Sequence, residues 1–281
     1  MTLTDGAFLS RRNLRRGIRD LLRRLNRHEL LTARTVRGKQ NQLRREFQRL
    51  VIEPALSATA RGLAGFEERG SQVLLEQIPQ LAAMQAEVAR SIKFGLDEVR
   101  LNLQDFLYEL ADYESEWSNP VLYGYRPTRA ELDRLDAEVD RVPFMGKQTA
   151  KWFRSFLEEP TLSRVDAWIQ QGLNDGLSTD EIVRGLRGSK RSGYTDGVLS
   201  GQPVHALYAL TRTAATHASA LARIEALEKL GVENYQWVAT LDNRTSLICA
   251  SRDGEIYKTG EGPLPPAHPN CRSTIVPIMD P

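Results

Sequence analysis

The sequence predicts an α+β protein that is mainly α-helical, with long N-terminal helices followed by a small C-terminal α+β domain of short antiparallel strands. Three observations carry this expectation. Apolar residues recur at helical spacing through most of the chain before Gly231. Beyond Gly231 the pattern changes to short alternating segments broken by Pro, Gly, Asn and Asp. Charge is also unevenly divided: residues 1–50 hold 14 Arg or Lys against 4 Asp or Glu, while all 281 residues together carry only +2. A basic arm therefore precedes a mildly acidic body. Four units are expected: a basic helical arm over 1–56, a long-helix region over 57–125, a helical subdomain over 126–200 and the α+β domain over 201–281.

The arm comes first. Phe8, Leu14, Ile18, Leu21, Leu22 and Leu25 alternate with arginines at near-helical spacing, and Arg12, Arg16, Arg19 and Arg23 share one face. Clustered like charge of this kind is stabilised by a polyanion or by an acidic partner surface. Arginine in place of lysine favours a partner that accepts two parallel hydrogen bonds, phosphate or carboxylate. A solvated helix face is the plainer alternative. No motif for reading base sequence accompanies the arm. No run approaches the ~20 apolar residues of a membrane span, and no apolar signal core follows the arginines, so neither a span nor a secretory leader is expected.

From Gln40 the helical pattern continues through Leu43, Phe47, Leu50 and Val51, and Pro54 is expected to interrupt it. A long helix from about Pro79 to Tyr113 follows, with Leu81, Val88, Ile92, Val99 and Phe106 as its seam and Gly95 as a weak point. Residues 114–127 mix aromatic, Pro and Gly residues without period and read as a connector. Thr128 with Glu131, and Ser178 with Glu181, have the spacing of capping boxes. Between them, Trp152, Phe153 and Phe156 form an apolar turn before a helix from about Leu162 to Asn174. Residues 188–202 read as a polar loop that lacks the Gly-Lys-Ser/Thr ending of a phosphate loop.

Pro203 suits the first turn of the next helix and Gly231 its end. Along this helix His217 falls on the apolar stripe and is expected to be structural, while Arg212, Thr216, Ser219 and Arg223 line another face. Tyr235 to Thr240, Ile256-Tyr257 and Thr274 to Val276 are the strand candidates. Ser246 or Thr245 is placed to cap a helical turn carrying Cys249.

The chemistry is concentrated in the last fifth. Cys249, His268 and Cys271 form the one cysteine-containing constellation, and His268-Pro-Asn-Cys271 has the short spacing of a chelating arm. Four readings stand in order: paired burial or hydrogen bonding, a metal such as zinc with Asp242, Asp253 or water as fourth ligand, a disulfide, and a thiol nucleophile. No cofactor is assigned with certainty. Arg244 and Arg272, with Asp242 and Asp253, are expected to lock the loops. Two cysteines in a chain of this size suit synthesis in a reducing cytoplasm.

Trp237-Val-Ala-Thr-Leu-Asp242-Asn-Arg244-Thr-Ser-x-x-Cys249, then Asp253-Gly254, then Pro265-Pro-x-His268-Pro-Asn-Cys271-Arg272, preceded by Arg212-Thr213, resembles the C-terminal domain of tailed-phage minor head proteins, the phage Mu F-like head-morphogenesis family. The resemblance covers roughly the last third of the chain. It implies a non-enzymatic virion protein inside the capsid near the portal vertex, with the portal protein and the major capsid protein as partners and packaged double-stranded DNA as a further contact. In that family a second cysteine often stands three residues before the one matching Cys249. Ser246 stands there here, which removes a fourth thiol from any metal site.

Overall fold

The computed structural model describes residues 32–67, 78–123 and 126–278. The arginine face of Arg12, Arg16, Arg19 and Arg23 lies outside the described residues. Helix α1 spans residues 32–47 and passes through a π-helical segment, Gln48–Ile52, directly into α2, Glu53–Glu67. The expected break at Pro54 does not occur. Proline has no N–H to donate, and the chain absorbs that loss one residue earlier: the π-turn closes with Glu53 N–H donating to Gln48 O. Leu50 O, the acceptor that residue 54 would have served in a regular helix, then meets Gly95 of α3 (Ile78–Tyr123), where an added Cβ would stand 2.0 Å from that oxygen. The glycine that weakens the apolar seam is the one that admits the π-segment.

The same device recurs. Helix α5 (Thr149–Phe153) runs through a second π-segment, Arg154–Glu158, into α6 (Glu159–Asn174), with Pro160 in the first turn of α6. The apolar turn expected at Trp152 to Phe156 is thus part of one long helical passage.

Helix α3 is 46 residues long and continues through the stretch expected to be a connector as far as Tyr123. Its extension is tied down at Glu114, which is fully buried and receives hydrogen bonds from Thr32 and Ser219 and an ion pair from Arg223 at 3.4 Å. A carboxylate held this way fixes the helix where the aromatic, Pro and Gly composition argues for a loop.

Helix α4 (Arg129–Arg141) begins at Thr128, whose backbone N–H donates to Glu131 at 2.7 Å, and α7 (Thr179–Arg187) begins at the corresponding Ser178–Glu181 pair. The 188–201 loop is wound around Asp196, which accepts from Ser189 and Ser192 and has its carboxyl pulled down to about 2 by those bonds. Helix α8 (Gln202–Lys229) starts with Pro203 in its first turn and ends at Gly231, where φ is +65°.

Buried apolar side chains from α1 through α8 form one continuous cluster, with α3 and α8 side by side at its centre. Among the described residues no helix is long and apolar enough to cross a membrane. Beyond Gly231 lies a three-stranded antiparallel sheet in the order β2-β1-β3, made of Asn234–Val238 (β1), Ile256–Lys258 (β2) and Thr274–Ile278 (β3), with α9 (Leu247–Arg252) between β1 and β2. Tyr235 and Trp237, two residues apart and so on one face of β1, are both fully buried. Tyr235 packs with Ile224 and Leu227 of α8, and Trp237 packs with Cys249 and Cys271.

A cysteine-histidine-cysteine centre

Two local devices position the three residues. Cys249 sits in the first turn of α9, where Ser246 caps the helix by accepting from Cys249 N–H. Ser246 therefore has a backbone task. His268 and Cys271 are the ends of a tight turn in which Cys271 N–H donates to His268 O at 3.1 Å. Pro269 occupies the second position and Asn270, with φ +61°, the third. These are the residues a type II turn selects: proline for its fixed φ, and asparagine because it tolerates the left-handed region.

The turn is gripped from outside by α8. Asn270 N–H donates to Thr213 Oγ1 at 2.9 Å, and Thr216 Oγ1 donates to Cys271 O at 3.0 Å. The role of Thr213 escapes a reading by hydrophobic pattern, since a threonine on a helix face ordinarily bonds its own backbone. Thr216 does share the face noted for Arg212 and Arg223.

The three side chains converge. Cys249 Sγ and Cys271 Sγ are 3.6 Å apart, His268 Nε2 is 3.1 Å from Cys249 Sγ, and all three ligand atoms lie within 4.8 Å of one another. Both cysteines are free and buried, and the sulfur separation is far beyond the ~2.0 Å of a disulfide. His268 Nδ1 lies 2.8 Å from Pro269 O. A carbonyl only accepts, so Nδ1 carries the proton and Nε2 turns its lone pair toward the sulfurs.

Two sulfurs on a tetrahedral zinc are about 3.8 Å apart, given Zn–S bonds of about 2.3 Å. The observed 3.6 Å is close to that edge, and two thiols with one imidazole are the donor types zinc selects. The residues present fit a metal with three protein ligands. Neither Asp242 nor Asp253 joins them: Asp242 is engaged by Arg272 through two bonds of 2.7 and 2.6 Å, and Asp253 accepts from Ala239 N–H at 2.8 Å. Among the described residues, Trp237 Nε1, in the same buried cluster as both cysteines, has no hydrogen-bond partner.

Burial pushes the Cys249 thiol above its ordinary value. That is the wrong direction for a nucleophile, which works as the thiolate. It suits a buried thiol that keeps its proton and donates it to His268 Nε2.

The predicted loop residues surround this centre. Asp242 is the hub: its Oδ1 accepts from Arg244 N–H at 2.8 Å in an Asx-turn, its two oxygens take the Arg272 fork, and Arg244 adds an ion pair at 3.6 Å. Hydrogen bonds from Arg272 and from the backbone at Arg244 hold the Asp242 carboxyl well below the usual carboxylate range. His217 lies apart, its ring against Phe144 and its Nε2 3.1 Å from Val142 O.

Residues 163–276 match the family described as "Phage Mu protein F like protein". The chain carries a phage Mu F-like domain. The match runs from within α6 to within β3 and takes in α7, α8, α9 and the whole centre. An uncharacterized protein of Haemophilus influenzae is 35% identical over 57 residues, a stretch that covers 19% of this chain and 13% of that protein's length. No solved structure matches.

Proposed function

We propose that the chain is a minor structural component of a tailed-phage head, placed inside the capsid near the portal vertex, where it associates with the portal and the major capsid protein, assists head morphogenesis and contacts packaged double-stranded DNA. The match of residues 163–276 to the phage Mu F-like family carries this reading, because it supports a head-related virion protein. The role is non-enzymatic. Cys249, His268 and Cys271 hold a structural zinc ion that keeps the loops on the sheet, and the pairs of Asp242 with Arg244 and Arg272 lock the loop beside them. Arg12, Arg16, Arg19 and Arg23 supply the polyanion or partner contact of the basic arm, and the four units at 1–56, 57–125, 126–200 and 201–281 divide these tasks.

The Mu F-like domain has a surface suited to docking. Leu247 is 89% exposed, Leu241 64% and Ile256 58%, all on or beside the α9 loops. Apolar side chains this exposed are stabilised by a partner surface.

The test uses heads purified from an infected culture. The wild-type protein is expected in them by mass spectrometry, and its absence would overturn the head assignment. A folded Leu241→Ser, Leu247→Ser, Ile256→Ser variant is expected to be lost from the heads. Normal incorporation of that variant would show that docking uses another surface.

A further inference from the structure

Four arginines from three separate parts of the chain gather beside the cysteine-histidine-cysteine centre. Helix α1 runs antiparallel to α8: Gln40 donates to Tyr208 O, while Thr32 and Ser219 share Glu114. This pairing brings Arg37 of α1 opposite the Arg212 turn of α8. The grip of Thr213 and Thr216 on Asn270 and Cys271 brings Arg272 to the same place. Asp242, bound to both Arg272 and Arg244, adds the fourth.

The charge at this place is unbalanced. Among the described residues, Asp242 is the one carboxylate that pairs with any of these arginines, and it is already shared by two guanidiniums. Arg212 is half-buried and, among the described residues, has no ion-pair partner; burial and the neighbouring arginines 244, 272 and 37 pull its guanidinium below its ordinary value. Holding a guanidinium half out of water among three others is costly unless an anion joins them. Arg37 and Arg244 are exposed and flank it.

We propose that Arg37, Arg212, Arg244 and Arg272 form a site for backbone phosphates of double-stranded DNA. The guanidinium fork matches phosphate oxygens. The exposed side of α1 continues the positive charge with Arg34, Arg44 and Arg45, so the cationic surface extends well beyond one side chain. That extent suits the repeated charge of a nucleic-acid backbone. The basic segment at residues 1–31 is excluded as occupant by its own sign. The site rests on the head-protein reading only for the source of the phosphates.

The experiment measures binding of the purified full-length protein to a short random-sequence DNA duplex by fluorescence anisotropy across a salt series, with sodium polyglutamate as competitor. Arg37→Gln with Arg244→Gln, both exposed, is the deciding variant, and Arg212→Gln is the second, each checked by circular dichroism. Each phosphate contact removed lowers the salt slope by about one, so the double variant is expected to lose about two units of slope and to bind several-fold more weakly. Changing Arg12, Arg16, Arg19 and Arg23 to Gln is expected to lower the slope separately and additively.

Unchanged slope and affinity in the double variant would overturn the site. So would a variant that loses polyglutamate binding and keeps DNA binding, since that identifies an acidic protein surface as the ligand. Either result leaves the head assignment standing, because that is read from incorporation into heads. Absence from heads, conversely, would leave a measured salt-dependent site intact.

Discussion

The helical body and the Mu F-like sheet region are stabilised in different ways. The body buries one continuous apolar cluster that runs from Val36 to Ala222, so its stability comes from area removed from water and from close packing. Around the centre the buried cluster has four members, Trp237, Ala239, Cys249 and Cys271. Shape there comes from caps, turns and ion pairs: Ser246 on α9, the His268–Cys271 turn, and Asp242 between Arg244 and Arg272. A region that buries so little depends on each polar contact and on whatever joins its three converging ligands.

Glu114 offers the strongest way to break the division, because it lies between the two regions. Through Arg223, which also donates to Thr274 Oγ1, it links α3 and α8 to β3. Glu114→Ala leaves Arg223 without its buried partner and is expected to cost about 3–5 kcal/mol. Urea unfolding of the variant measures this; a loss below about 1 kcal/mol would show that the pair is not a structural joint.

Metal removal sharpens the comparison from the other side. With zinc at a hundredfold excess over Kd, a chelator is expected to remove about 3 kcal/mol of stability. The loss should appear as faster proteolysis within residues 234–278, while helices α1 to α7 stay protected. A purified chain that contains no metal and does not respond to chelator or to added zinc would establish the cysteines as buried, hydrogen-bonded thiols.

Acid tests the body through His217. Burial depresses His217 to about 4 from its ordinary value. The unfolded chain therefore takes up this proton near pH 6.5, and the folded chain takes it up only near pH 4. The stability His217 contributes is full above pH 6.5, falls as the pH drops toward 4, and is level below that. The size of the loss is about 3 kcal/mol. His217→Gln should flatten that part of the pH profile, and an unchanged profile would assign the acid sensitivity to other groups.

The sequence showed most of the frame and the identity of the converging residues. Both capping boxes, Pro203 and Gly231 at the ends of α8, three short strands and the Ser246 cap are local signals, each decided by residues a few positions apart, and all appear in the structure. What escaped is decided by contacts between distant residues. Pro54 reads as a break until Gly95 is known to accept the displaced Leu50 carbonyl. The 114–127 stretch reads as a connector until Arg223, more than a hundred positions later, pairs with Glu114. At the centre, Cys249, His268 and Cys271 were visible as types and spacings. Asp242 and Asp253 were equally plausible ligands on paper and are occupied elsewhere in space. Thr213 and Arg37 carried no local sign of what they would meet.

The hold of α8 on the His268–Cys271 turn has a further consequence. Thr213 and Thr216 take hold of Asn270 N–H and Cys271 O, main-chain atoms that every residue except proline supplies in full. The anchor therefore constrains the path of the turn and places no demand on the side chains it displays. Imidazole and guanidinium project from a segment already fixed by its backbone, so each can be replaced, one at a time, without detaching the turn from its helix. A binding surface carried on such a mount can change its chemistry while its address on the protein stays the same.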